Sequence, residues 1–264
     1  MPTPDPRPVQ ALSFSANRPS VVKWIARLTA VLALAGVLLA AYVVLVLIPS
    51  LPTLDAVTDY RPKLPLRVYT ADNVLIGEFG QEHRDFVAIA DMPDLMKNAL
   101  LSIEDARFYT HSGVDFIGLA RALSGGLQEG ASTITMQVAR NFYLTQERTV
   151  TRKLKEAILT YRIEHALTKD QILELYMNQI YLGQRSYGFS SAARTYFGKS
   201  LSELSIAQAA MLAGVPKNPV RHNPAVNLER AKQRQLQVLR SMLRNGHITQ
   251  VQFDQASTEP IRVN

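Results

Sequence analysis

From Leu28 to Ile48 the chain runs 21 residues without a charge, and nearly all of them are apolar or small. As a helix at about 1.5 Å per residue this run is roughly 31 Å long, the thickness of a bilayer's hydrocarbon core. Lys23 and Arg27 precede it; Pro49, Ser50, Pro52 and Asp55 follow. The positive-inside rule then places the N-terminus in the cytoplasm and everything after residue 48 outside. A cleaved signal peptide would have a shorter apolar core ending in a small-x-small site, and a core helix of a soluble protein would not be apolar on every face. The expected organisation is a cytoplasmic tail over 1–27, a transmembrane helix over 28–48, an extended proline-marked linker over 49–65 and a globular domain over 66–260.

Beyond the linker the pattern changes twice. Leu66 to Phe79 alternates on either side of Asp72-Asn73, which predicts a small hairpin. The rest reads as helices. Thr168–Gln171, Ser205–Gln208 and Thr249–Gln252 each match a capping box, Gly214 with Pro216 closes one helix, and Gly246 closes another. The stretch 226–244 is long, charged and helical in period.

Composition narrows the chemistry. With no cysteine, disulfides and thiolate metal sites are excluded. The net charge is +7, of which residues 1–27 carry +3, from Arg7, Arg18, Lys23 and Arg27 against Asp5. Such a balance suits nucleic acid, anionic lipid or phosphorylated substrates, or is split between a topology signal and solvated surface.

Four polar clusters stand out. Glu104 to Gly113 packs Glu104, Asp105, Arg107 and His111 into a short stretch that follows the apolar residues Ala99 to Ile103. Glu104 is either a general base at the end of an apolar helix or a helix-end acid satisfied by Arg107 or backbone amides. Glu129 to Gln137, with Ser132 and Thr133, suits a loop entering a helix, where backbone N–H groups could take an oxyanion or simply cap the helix. Arg140, Arg148, Arg152, Lys153 and Lys155 gather near Glu156, either to hold a phosphate leaving group or as a solvated face with i,i+4 pairs. In Lys169 to Gly183, Ile172, Leu175, Tyr176 and Ile180 form a core stripe, and Glu174 and Asn178, one turn apart, suit bracing.

In order and spacing these clusters resemble the peptidoglycan glycosyltransferases of family 51, found in class A penicillin-binding proteins and monofunctional transglycosylases. The family's E-D-x-x-F-x-x-H-x-G falls on Glu104, Asp105, Phe108, His111 and Gly113. G-[GA]-S-T-I-T-x-Q falls on Gly130 to Gln137, R-K-x-x-E on Arg152, Lys153 and Glu156, and I-L-E-x-Y-x-N on Ile172 to Asn178. R-A-x-x-R-x-x-x-V-L falls on Arg230, Ala231, Arg234, Val238 and Leu239. Glu129 and Met136 stand where the family often has Gln.

The resemblance implies a mainly α, lysozyme-like two-lobed domain after a single N-terminal transmembrane helix, with Phe116, Ile117, Leu119, Leu123 and Leu127 on a lobe that touches lipid. It implies polymerisation of lipid II into glycan strands, with inversion at the anomeric carbon and release of undecaprenyl pyrophosphate. Glu104 would be general base and Glu156 the second catalytic carboxylate. Asp105, Phe108, His111, Ser132, Thr133, Gln137, Arg140, Arg148, Arg152 and Lys153 would bind substrate. No cofactor would be required; a divalent cation could stimulate, with no protein metal site. Partners would be lipid II, the growing strand, the membrane and other cell-wall synthesis and division proteins, with no nucleic acid. The location would be the bacterial inner membrane, with the catalytic domain periplasmic. A lytic, lysozyme-like enzyme or a non-catalytic scaffold are the rivals; the first would not need the Arg/Lys cluster, and the second would not need both glutamates. Ser20-Val-Val-Lys23 and Ser15-Ala-Asn17 match transpeptidase motifs by chance, without a following K-T-G, so no transpeptidase domain is expected in this chain.

Overall fold

The computed structural model describes residues 21–60, 66–72, 75–80, 82–124, 132–144 and 149–264. The tail reading for 1–20, including Ser15 and Ser20, lies outside them, as do Leu127, Glu129, Gly130 and Arg148. The described residues fall into two units, divided between Ser50 and Leu51.

The first unit is helix α1 (Val21–Tyr42), continued by a π-helical turn at Val43–Leu47. It includes residues upstream of the uncharged run, so Lys23 and Arg27 sit on the helix itself. The apolar run marks what lipid can cover, and the helix extends upstream of it because Lys, Trp and Arg are compatible with helix. Val21–Leu47 is 27 residues long and apolar enough to cross a membrane.

The second unit is mainly helical. It opens with a short helical turn, α2 (Asp55–Thr58), where an extended linker was expected. Thr53 Oγ1 donates to Asp55 Oδ2 at 2.8 Å, and Val57 joins the core at 3% exposure. Pro49 and Pro52 fall just before the turn, where they do not interrupt it. Strands β1 (Leu66–Tyr69) and β2 (Leu75–Phe79) pair antiparallel, as the alternation predicts, with a bulge between Val68 and Tyr69. β3 (His83–Arg84) pairs with a distant two-residue strand and is a correction to the all-helical reading of the remainder. Two residues carry no periodicity that a sequence could show.

The helices follow in order: α3 (Asp94–Glu104), α4 (Phe116–Ser124), α5 (Ile134–Tyr143), α6 (Val150–Ala166) and α7 (Lys169–Gln179). Next come β4 (Ser186–Tyr187), the partner of β3, then α8 (Phe189–Phe197), α9 (Ile206–Gly214), α10 (Leu228–Arg244) and α11 (Gln250–Thr258). The three expected capping boxes all form, at Thr168, Ser205 and Thr249. Gly246, at φ 75°, ends α10: His247 N–H reaches Met242 O at 2.9 Å and Gly246 N–H reaches Leu243 O at 3.0 Å, the two bonds of a Schellman motif.

α9 is the centre. Its residues from Ala207 to Gly214 are all buried, and four alanines and a glycine let α3 and α10 pack closely against it. α5 packs on α6 and α7. The stripe of Ile172, Leu175, Tyr176 and Ile180 is buried as expected. Glu174 and Asn178 brace: Glu174 Oε2 accepts the Ile89 amide at 2.7 Å, and Asn178 both accepts from Val87 N–H and donates to Val87 O, each at 2.9 Å. These bonds tie the extended chain before α3 to α7.

Candidate active site

Glu104 is the last residue of α3, whose other turns face the core through Met96, Ala99, Leu100 and Leu101. The helix carries it inward until its side chain is 13% exposed. Gln137 Nε2 of α5 donates to Glu104 Oε2 at 2.9 Å, and the Arg234 guanidinium of α10 lies 3.5 Å from Oε1. Tyr176 of α7 donates its hydroxyl to Gln137 Oε1 at 3.0 Å, so the amide oxygen faces the phenol and the nitrogen faces Glu104. Burial, helped by the Glu104 charge, pushes the Tyr176 phenol well above its ordinary value and keeps it a donor. Arg107 pairs with Asp115. The reading of Glu104 as an acid satisfied by Arg107 therefore falls.

Asp105, the next residue, turns the other way. It is 6% exposed. His111 Nε2 lies 2.9 and 3.1 Å from its two oxygens, and the Ile134 amide, first in α5, donates to Oδ2 at 3.0 Å. Gly113 N–H donates to His111 Nδ1 at 3.1 Å, so Nε2 carries the proton and donates to Asp105. Thr133 caps α5 by accepting the Met136 amide, and its hydroxyl donates to Gly113 O. Gly113 has φ 94°, and a Cβ there would lie 2.7 Å from Thr160 Cγ2, so the turn needs glycine. Asp105, His111 and Thr133 thus lock the 105–113 loop onto the start of α5, with their polar atoms engaged inside the protein. Phe108 is 1% exposed, under the Lys169 ammonium at 4.6 Å.

Glu156, on α6, is 0% exposed. Arg152 NH1 donates to its Oε2 at 2.7 Å and Lys153 Nζ to its Oε1 at 3.0 Å. The i,i+4 pairing foreseen for a solvated face exists, but its carboxylate is inside. Such a buried charge is held only by its partners, and removing one typically costs about 3–5 kcal/mol. Lys153 Nζ also lies 3.4 Å from Ser132 Oγ, linking α6 to the start of α5. Arg140 stands in the last turn of α5, half-buried and close enough to Tyr176 to act on it electrostatically. Met136 is buried at 7% exposure.

Sequence reasoning gave no role to three of the residues found here. Arg234 falls in the last quoted motif, where Arg230 and Arg234 at i,i+4 were the available signal. Lys217 sits in the short helical turn after α9, near enough for Glu104 to act on it. Burial lowers both Lys217 and Arg234 below their ordinary values, Arg234 adds to the lowering at Lys217, and Glu104 counteracts it at each. The third, Glu164, accepts from Thr135 and from Lys169 Nζ at 2.8 Å, one turn pair beyond Glu156 on the inward side of α6. Among the described residues no group of three or more His, Asp or Glu could hold a metal ion.

A sequence profile of the transglycosylase family matches residues 72–243, which contain every residue of this site. Penicillin-binding protein 1A of Neisseria flavescens is 55% identical over 235 residues, covering 87% of this chain and 29% of that protein. A candidate transglycosylase of Cupriavidus necator is 51% identical over 232 residues, covering 86% of this chain and 92% of that one. The crystal structure of penicillin-binding protein 1A from Haemophilus influenzae aligns with a TM-score of 0.48 at 32% identity, over 77% of this chain and 22% of that one. The chain therefore spans under a third of the length of the penicillin-binding relatives it matches.

Proposed function

The chain belongs to the transglycosylase family, and from that premise we propose that it polymerises lipid II into peptidoglycan glycan strands at the outer face of the bacterial inner membrane. Glu104 is the general base. It takes the proton of the acceptor sugar's 4-hydroxyl as that oxygen attacks the anomeric carbon of the donor strand. The C–O bond to the diphosphate breaks, undecaprenyl pyrophosphate leaves, and the configuration inverts from α to β. An oxocarbenium-like transition state is expected, as in other glycosyl transfer.

One observation carries this reading: a carboxylate that accepts from Gln137 beside Arg234, together with a separate set of cations ordered by the wholly enclosed Glu156. Negative charge grows on the leaving diphosphate, and Arg152 and Lys153 supply fixed cations to meet it, with Arg140 and Arg148 as further candidates from the family pattern. Glu156 orients them without needing to touch the sugar. Ser132 lies beside Lys153, and Gln137 holds Glu104; Asp105, His111 and Thr133 lock the 105–113 loop next to the base. A divalent cation could assist by binding the diphosphate itself. A lytic enzyme would need the acid/base but not the ordered cations.

The apolar helix Val21–Leu47 supports retention in the membrane, where a polyprenyl-linked substrate also stays, which raises the local concentration of each for the other. Phe116 and Ile117 of α4 are 74% and 61% exposed, as residues that dip into lipid would be.

The reading is tested by incubating the detergent-solubilised protein with labelled lipid-linked disaccharide-pentapeptide and resolving products by length. Long polymer is expected. Shortening of preformed glycan, without growth, would replace the proposal with the lytic one.

A further inference from the structure

One cleft meets the proposed reaction site only through Arg234, the partner of Glu104. It lies between α10 and the 3-10 turn Val215–Lys217, encloses about 300 Å³, and is lined by Lys217, Arg221, His222, Arg230, Arg234 and Gln237 among others. That volume is at the lower end of the range for small-molecule sites, about 300–1,000 Å³. On α10 the spacing of Arg230, Arg234 and Gln237 brings them to one face, beside the core stripe that holds Ala231 and Val238. On the other wall Asn218 shapes the turn: its side-chain oxygen accepts the Arg221 amide and its carbonyl the His222 amide, each at 2.9 Å.

Arg234 is built into this cleft. A Cβ at Gly214 would lie 2.7 Å from Arg234 Cγ, so only glycine lets the arginine stem pass. The residue is 8% exposed, donates through NH1 to Gln237 at 2.9 Å, and points NH2 towards Glu104. Its Nε is buried with no hydrogen-bond partner, and so is His222 Nδ1. Buried polar atoms are nearly always paired, and Arg234 Nε carries a proton to donate, so it calls for an acceptor such as an oxyanion. Charge points the same way. Among the described residues, Glu104 is the one carboxylate ion-paired to a cation of this cleft. The His222 ring is held below its ordinary value, by burial first and then by the nearby cation Arg234.

We propose that this cleft is an oxyanion subsite that binds the carboxylates of the peptide carried on the sugar substrate. The proposal rests on the glycan-polymerising reading for the identity of that substrate. Three of the four cations are arginines, whose planar forks match carboxylates bidentately. A diphosphate is the other oxyanion on the substrate, and it already has the α5–α6 cations. Through Arg234 the subsite shares a residue with Glu104, so a bound peptide would help to seat its sugar beside the base.

The test is a titration of the full chain in detergent, following the His222 ring resonances, assigned by their loss in His222→Gln. Three probes are compared: soluble disaccharide-pentapeptide without lipid or diphosphate, the same compound with its peptide carboxylates amidated, and inorganic diphosphate. Saturable shifts are expected with the first, and binding at least about tenfold weaker with the amidated probe and in the Arg221→Ala/Arg230→Ala double variant. Both arginines are exposed, so the fold should survive; Arg221→Glu should weaken binding further. Inorganic diphosphate shifting the same resonances as tightly as the peptide, or no shift with any probe, overturns the proposal. Peptide binding is read here without turnover. A chain that binds peptide but builds no polymer keeps the subsite and loses the reaction, and the converse keeps the reaction alone.

Discussion

Glu104 and Glu156 are both carboxylates drawn into the domain, and they are held in opposite ways. Glu156 is wholly enclosed, and its partners, Arg152 and Lys153, come from the preceding turn of its own helix. Glu104 keeps some exposure, and its partners come from α5 and α10, far along the chain. The first arrangement uses up both oxygens on cations and leaves nothing to react with. The second leaves lone pairs free on an acceptor that keeps 13% of its side chain exposed. Burial alone does not mark a catalytic acid or base; what matters is whether its acceptor capacity is spent.

That contrast can be broken at several points. Arg152→Ala should do the most damage to folding, because it strips one of the two cations from an enclosed carboxylate. A loss of about 3 kcal/mol is expected, read by urea denaturation. A loss below about 1 kcal/mol would mean that Lys153 or water holds Glu156 unaided. Gln137→Leu comes next. It leaves the Tyr176 hydroxyl buried without an acceptor and removes one donor from Glu104, for a cost of about 2 kcal/mol and a fall in polymerisation rate of about tenfold. Pairing it with Tyr176→Phe sharpens the comparison: if the cost comes from the orphaned hydroxyl, the double variant should cost less than Gln137→Leu alone. Thr168→Ala, far from both carboxylates, should cost only about 1 kcal/mol by opening the capping box of α7, and should leave the rate unchanged.

Legibility followed the range of each interaction. The capping boxes at Thr168, Ser205 and Thr249, the Gly246 stop and the 66–79 hairpin are built from neighbours, and the sequence pattern shows them. So is the Arg152–Glu156 pair, although i,i+4 spacing could not say that its carboxylate faces inward. The bracing role of Glu174 and Asn178 was also readable, because polar residues beside a core stripe need partners. The β3–β4 pair could not be read, since its strands are two residues long and far apart. Nor could the Arg234–Glu104 contact, which depends on how α3 and α10 cross α9. For Asp105, Phe108 and His111, the family pattern suggested substrate contacts; their surroundings here are the loop and core they hold together, a distinction that spacing does not encode.

The measurement that tests the central claim most directly is the rate of polymer formation by Glu104→Gln, taken beside its thermal melting. Glutamine keeps the shape and much of the hydrogen bonding and removes the base. The account predicts a melting temperature close to that of the parent and a rate lower by about a thousandfold, within the range that general bases supply. Polymer made at the parental rate by a folded Glu104→Gln protein would contradict it.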